Sequence, residues 1–171
     1  MEFGHPPIMK FLFPIAVIFF SFGLCAFAAP ETGPLNVNPP AGWSMKYQRE
    51  KGVQLYSLTR PPQEGFVLLM FSHSPYNGNR DQISGYIDSM AKGYPEQIKK
   101  NPMLKLESYT KGKFTGVTFS GEFVVFTMAG GGKQVMFMFS DGDGAWTGQY
   151  AGPSERWLEA LEILKAVKKN G

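Results

Sequence analysis

The tetrapeptide Asp141-Gly142-Asp143-Gly144 lies between two apolar segments, QVMFMFS at 134–140 and AWTGQYA at 145–151. Asp-Gly pairs supply the positive backbone φ of a tight hairpin, so the two segments are predicted to pair as adjacent antiparallel strands. Parallel strands need a crossover of a dozen residues or more, so this hairpin excludes a wholly parallel, doubly wound fold.

The same reasoning extends along the chain. Segments 44–49 and 53–60 read as strands around a Lys51-Gly52 turn, and 61–65 (PPQEG) breaks the chain. The next segment, FVLLMFS at 66–72, is apolar at every position but the last, which predicts a central strand covered on both faces. Further on, 104–110 reads as a strand and Lys111-Gly112-Lys113 as a turn. A long β segment over 114–128 follows, with Gly116 and Gly121 as bend points, and 129–132 (AGGG) turns the chain.

Two stretches carry helical spacing. Ile83, Tyr86, Ile87 and Met90 mark one face of a helix over 80–92, with Asn79 or Asp81 at its start and Gly93 at its end. A separate short helix over 94–101 would take Pro95 in its first turn. The last helix opens at Pro153-Ser154 with Ser154 as N-cap. Trp157, Leu161, Leu164 and Val167 lie on one face, which Leu158 and Ile163 widen, and Lys165, Lys168 and Lys169 sit near its negative end. Three strands, two helices, four strands and a helix give an α+β class, an antiparallel sheet of about seven strands covered by helices.

Ahead of this domain, Phe11 begins an almost wholly apolar run, FLFPIAVIFFSFGL, preceded by Lys10 and followed by Cys25-Ala26-Phe27-Ala28-Ala29-Pro30. This reads as a signal peptide cleaved after Ala28, with residues 1–8 as an extension before it. A permanent anchor needs about 20 apolar residues and fits less well with Pro14, Gly23 and the Ala-x-Ala ending. Lipidation of Cys25 would want a small residue where Leu24 stands. Residues 29–42, with four Pro and two Gly, read as a linker, and 43–171 as the single domain. Cleavage would remove the only cysteine, so a domain in an oxidising compartment would be held by its core alone.

The opening PPAGWSMKY at 39–47, the loop-then-helix SPYNGNRDQISGYIDSM at 74–90 and the ending WLEALEILKAVKK at 157–169 together resemble the PsbP-like superfamily. That group includes extrinsic subunits of photosystem II, Ran-binding Mog proteins and bacterial DcrB-like envelope proteins. The resemblance spans about residues 39–169. It implies a sandwich of sheet and helices and a non-enzymatic accessory or binding role, and it carries over no functional residues.

Composition narrows the chemistry. A formal net charge of +3 over 171 residues is too weak for a nucleic-acid footprint. At 43% hydrophobic and 18% charged residues, a globular core is expected. His73 is the only histidine beyond the signal, and Ser72 and Ser74 beside it alternate sides of a strand, so a catalytic triad is not expected. Asp141 and Asp143 suggest calcium, but Ala145 and Gly152 stand where an EF-hand loop needs its later oxygens. Gly130-Gly131-Gly132-Lys133 lacks the GxxxxGK[ST] spacing of a phosphate loop. The stretch VMFMF at 135–139 reads as core. The loop SPYNGN at 74–79 is the favoured contact surface, with Tyr76, Asn77 and Asn79 as partner-binding residues.

The expectation is therefore a periplasmic or secreted, non-catalytic module that binds a protein. It would use no cofactor, no metal and no nucleic acid, and keep no membrane span after cleavage. The alternatives are an immunity protein against a secreted toxin, a small apolar-ligand carrier, or a small hydrolase with an unrecognised site. The last lacks a visible nucleophile, base and orienting group.

Overall fold

In the computed structural model, which describes residues 33–74, 78–140, 142 and 144–170, the expected hairpin is present: β7 (Gly132–Ser140) pairs antiparallel with β8 (Ala145–Pro153), with Ser140 opposite Ala145. Around it are β2 (Ser44–Glu50), β3 (Val53–Thr59), β4 (Leu68–Ser74), β5 (Leu106–Thr115) and β6 (Ser120–Met128). These form one seven-stranded sheet in the order β2-β3-β4-β8-β7-β6-β5, and every neighbouring pair is antiparallel. Two meanders, β2 to β4 and β5 to β8, are thus joined by the β4·β8 pairing. The coarse expectation, an α+β chain with a seven-stranded antiparallel sheet, matches this architecture.

Strand alternation divides the side chains between two layers. On one face Tyr56, Leu58, Leu69, Phe71, Phe137, Phe139, Trp146 and Tyr150 form a mostly aromatic core. Helix α2 (Trp157–Ala166) covers it with Trp157, Ala160, Ile163 and Leu164. The Trp157 ring lies 5.4 Å from Phe123 and 5.5 Å from Tyr150. On the other face, helix α1 (Arg80–Ile98) lays Ile87, Ala91, Tyr94 and Ile98 over Val124, Phe126 and Met128.

Several local expectations need correction. First, α1 does not end at Gly93, and no second helix follows. One helix of 19 residues runs through Gly93 and Pro95. Proline costs one helical hydrogen bond, but continuing the helix buries Tyr94 and Ile98, with Tyr94 4.6 Å from the Phe126 ring.

Second, Lys111-Gly112-Lys113 is not a turn. Strand β5 passes straight through it, and the chain reverses at 116–119. Gly112 is there because the Phe123 ring occupies the room a side chain would need: an added Cβ would fall 2.6 Å from its Cε2.

Third, Ser154 does not cap α2. A 3-10 turn over Ser154–Arg156 precedes the helix, and the Ser154 hydroxyl donates to the Gly131 carbonyl at 2.7 Å. Leu158 is exposed and does not widen the buried face. Lys168 and Lys169 lie beyond the helix in a short strand, β9 (Lys168–Lys169).

Fourth, the segment 66–72 is not covered on both faces; within β4 the second face is fully buried only at its last residue, Ser74. Leu69 and Phe71 are in the core, while Leu68, Met70 and Ser72 are half-buried. Helix α1 packs over β5, β6 and β7, so its cover is centred on the other half of the sheet.

The segment expected as a linker is part of the domain from Gly33 onward. Strand β1 (Leu35–Asn36) pairs antiparallel with β9, and Leu35 and Val37 are buried. The Tyr56 hydroxyl accepts from the Leu35 N–H at 2.8 Å and donates to the Leu35 carbonyl at 3.1 Å. Trp43 is buried and donates its indole N–H to Glu159 at 3.2 Å. Glu159 also receives Arg60 at 3.0 Å and Arg156, so one carboxylate joins the arm, the end of β3 and α2. Burial works against the charged form of Glu159, but the bonds from Arg156 and Trp43 outweigh it and leave its pKa below the ordinary glutamate value.

Candidate functional site

At one end of the sheet the chain leaves β4, returns at Gly78 and starts α1. Gly78 has φ +74° and lies against the 140–145 hairpin: an added Cβ would fall 2.6 Å from the Ser140 Cβ and 2.8 Å from the Ala145 Cβ. Conformation and space both demand glycine. Asn79 then caps α1, its side-chain oxygen accepting from the Gln82 N–H at 2.9 Å. Gln82 reaches back and accepts from the Gly78 N–H at 3.0 Å, a reciprocal arrangement akin to a capping box.

The facing turn is held from inside. The Ser140 hydroxyl donates to the Gly144 carbonyl at 2.5 Å and accepts from the Gly142 N–H at 2.9 Å. Ser140 is one of two polar residues with buried side chains among the described residues, and its bonds account for that burial.

Two clefts flank this turn. The first, of about 530 Å³, opens on the α1 side between Gly78, Asn79, Arg80, Ser120, Glu122 and Gly142. Glu122 accepts from the Ser84 hydroxyl at 2.9 Å and pairs with Lys113 at 2.7 Å, bridging α1, β6 and β5. The second, of about 330 Å³, opens on the aromatic face between Gln54, His73, Phe119, Trp146 and the arm residues Pro34 and Leu35. The His73 ring meets Trp146 edge to face at 5.3 Å. The Gln54 side-chain oxygen is buried there with no hydrogen-bond partner among the described residues.

The residues singled out in the sequence are distributed as follows. Asn79 is exposed at the rim of the first cleft, its side-chain oxygen engaged in the cap. Tyr76 and Asn77 lie outside the described residues, as do Asp141 and Asp143. His73 pairs with Trp146 on the aromatic face, while Ser72 and Ser74 pair with Thr147 and Ala145 on the other. Alternation therefore separates both serines from the imidazole. Gly130 and Gly131 form the turn before β7 at the opposite end of the sheet. Within VMFMF, Val135, Phe137 and Phe139 enter the aromatic core and Met138 is buried beneath α1.

Sequence reasoning missed Gln54, Lys113, Glu122 and Ser140. Glu122 carried one usable signal, a lone charge inside the apolar strand SGEFVVFTM. Among the described residues, no cluster of three or more His, Cys, Asp or Glu could hold a metal ion. Among them also, no helix is long and apolar enough to cross a membrane. No family model matches the chain, and no curated protein matches it.

Proposed function

We propose that this chain is an exported, non-catalytic binding module of the PsbP-like kind, which engages a protein partner through the end of the sheet where Gly78, Asn79, Arg80 and Gly142 lie. One observation carries the reading. The return into α1 and the β7–β8 turn are seated against each other at Gly78, so exposed Asn79, Arg80 and Gly142 are presented from a rigid frame. Rigid presentation lowers the ordering cost of association, which favours a loop surface as a binding site. Export is supported by the apolar run from Phe11 and the Ala26-x-Ala28 ending, and N-terminal sequencing of the exported protein should begin at Ala29.

The test is capture of the partner from envelope extract by the wild-type chain and by Tyr76→Ala and Arg80→Glu. Each substitution should weaken capture by more than about fivefold, the scale of a contact worth about 1 kcal/mol, with the melting temperature unchanged. Undiminished capture by both variants would move the partner off this surface.

A further inference from the structure

At the opposite end of the sheet, the connection from α1 to β5 is a fixed turn that holds an apolar side chain in solvent. Asn101 accepts from the Leu104 N–H through its carbonyl at 3.1 Å, and from the Met103 N–H through its side chain at 3.0 Å. Pro102, second in the turn, presets its backbone angle. The Lys105 carbonyl accepts from the Ala129 N–H at 2.8 Å, anchoring the far side of the turn to the β6–β7 connection. The product is Met103 at 91% exposure, with Leu104 at 38% beside it.

Lysines flank these two in the sequence. Lys92, Lys99, Lys100 and Lys105 stand against Glu96 and Glu107 over this stretch. Glu96 is paired with Lys99 at 2.6 Å, and Lys100 and Lys105, both exposed, are the charged residues closest to Met103 along the chain. Phe66, 70% exposed, precedes β4 at the same end, and its backbone lies near Gly152 at the close of β8. From β4 to β5 is four strand spacings, about 19 Å, so Phe66 and Met103 mark two points along one rim.

We propose that this rim docks on an anionic phospholipid bilayer, Met103 and Leu104 entering the interface while Lys100 and Lys105 face the lipid headgroups. An exposed apolar tip flanked by lysines matches a surface with negative headgroups outside and hydrocarbon beneath. A protein interface core, by contrast, is depleted in lysine. In this orientation the sheet stands end-on and both clefts face away from the membrane. The proposal does not depend on the partner site at the other end.

The test uses the full chain with a reporter tryptophan. Trp43, Trp146 and Trp157 are all buried, so a tryptophan on the surface is read against a protected background. Met103→Trp is compared with Val117→Trp, an exposed apolar position at the cleft end. The probes are phosphatidylcholine vesicles with and without phosphatidylglycerol, their acyl chains brominated to quench any tryptophan that enters them. Quenching and a blue shift are expected for Met103→Trp on the anionic vesicles alone. Adding Lys100→Glu and Lys105→Glu should lower the apparent affinity at least about tenfold, because each lysine near such a surface contributes about fivefold. The apolar run at 11–24 is common to all variants and cannot create a difference between positions. Equal quenching at 117, no quenching at 103, an equal response on neutral vesicles, or indifference to charge reversal would each overturn the proposal.

Discussion

Where β4 gives way to α1, the chain is held from several directions at once. Gly78 is wedged against Ser140 and Ala145, Asn79 and Gln82 close the helix start, and Ser140 closes the facing turn. At the other end, the Asn101–Leu104 turn is held by bonds that its own asparagine accepts from the Met103 and Leu104 N–H groups, and Met103 lies almost wholly in solvent. The first end is specified by contacts between distant segments and the second by local turn chemistry. Substitutions in the packed frame of the first end, at Gly78 or Ser140, should therefore disturb the fold, while those of exposed side chains at either end should disturb only what the surface touches.

The largest effect belongs to the frame shared by both ends. Trp157→Ala should cost about 3–5 kcal/mol by chemical denaturation, because a buried ring packed on Phe123 and Tyr150 is lost. A shift within error would mean that this helix is dispensable. Next is Gly78→Ala, where an added methyl meets Ser140 and Ala145 at a positive φ. It should cost about 2–4 kcal/mol and lower hydrogen-exchange protection at the start of α1. If it costs less than a surface substitution does, the wedge is not real.

Ser140→Ala removes one donor and one acceptor from the turn and should cost about 1–2 kcal/mol. Acid should act more weakly. The folded pKa of Glu159 is depressed, so its contribution is complete at neutral pH. It is lost as pH falls from the ordinary glutamate value through the folded one. Because this carboxylate is about one-third exposed, the loss should be at most about 1 kcal/mol, and Glu159→Gln should remove that part of the acid dependence. The smallest effect is at the basic end, where Met103→Ser should change stability by less than about 0.5 kcal/mol. A larger loss would show that Met103 packs on the domain.

The legible parts of the fold were those written in local chemistry. Asp141 to Gly144 marked a hairpin, Lys51-Gly52 marked the β2–β3 turn, and Asn79 marked the start of α1. Errors arose where tertiary burial overrode a local signal. Gly93 read as a helix end and Pro95 as the first turn of a further short helix, yet Tyr94 and Ile98 gain burial only if one helix continues. Gly112 read as a turn because a flanking glycine says nothing about the Phe123 ring that crowds it. Proline content hid the docked arm, although the alternation of Leu35 and Val37 was a visible strand signal. The first cleft was illegible beyond Asn79, because Glu122, Ser140 and Gly142 meet only through the register of β5, β6 and β7. Gln54 offered no signal, since its burial depends on an arm that pairs with the last strand.

The division of labour between the two ends is open to one direct measurement. A benzophenone side chain is introduced at position 80 or at position 103 of the full chain, irradiated in cells, and the adducts are separated into protein and lipid. Position 80 should give a discrete protein adduct and position 103 a phospholipid adduct. The same protein adduct from both positions, or a protein adduct from position 103 alone, would contradict the account.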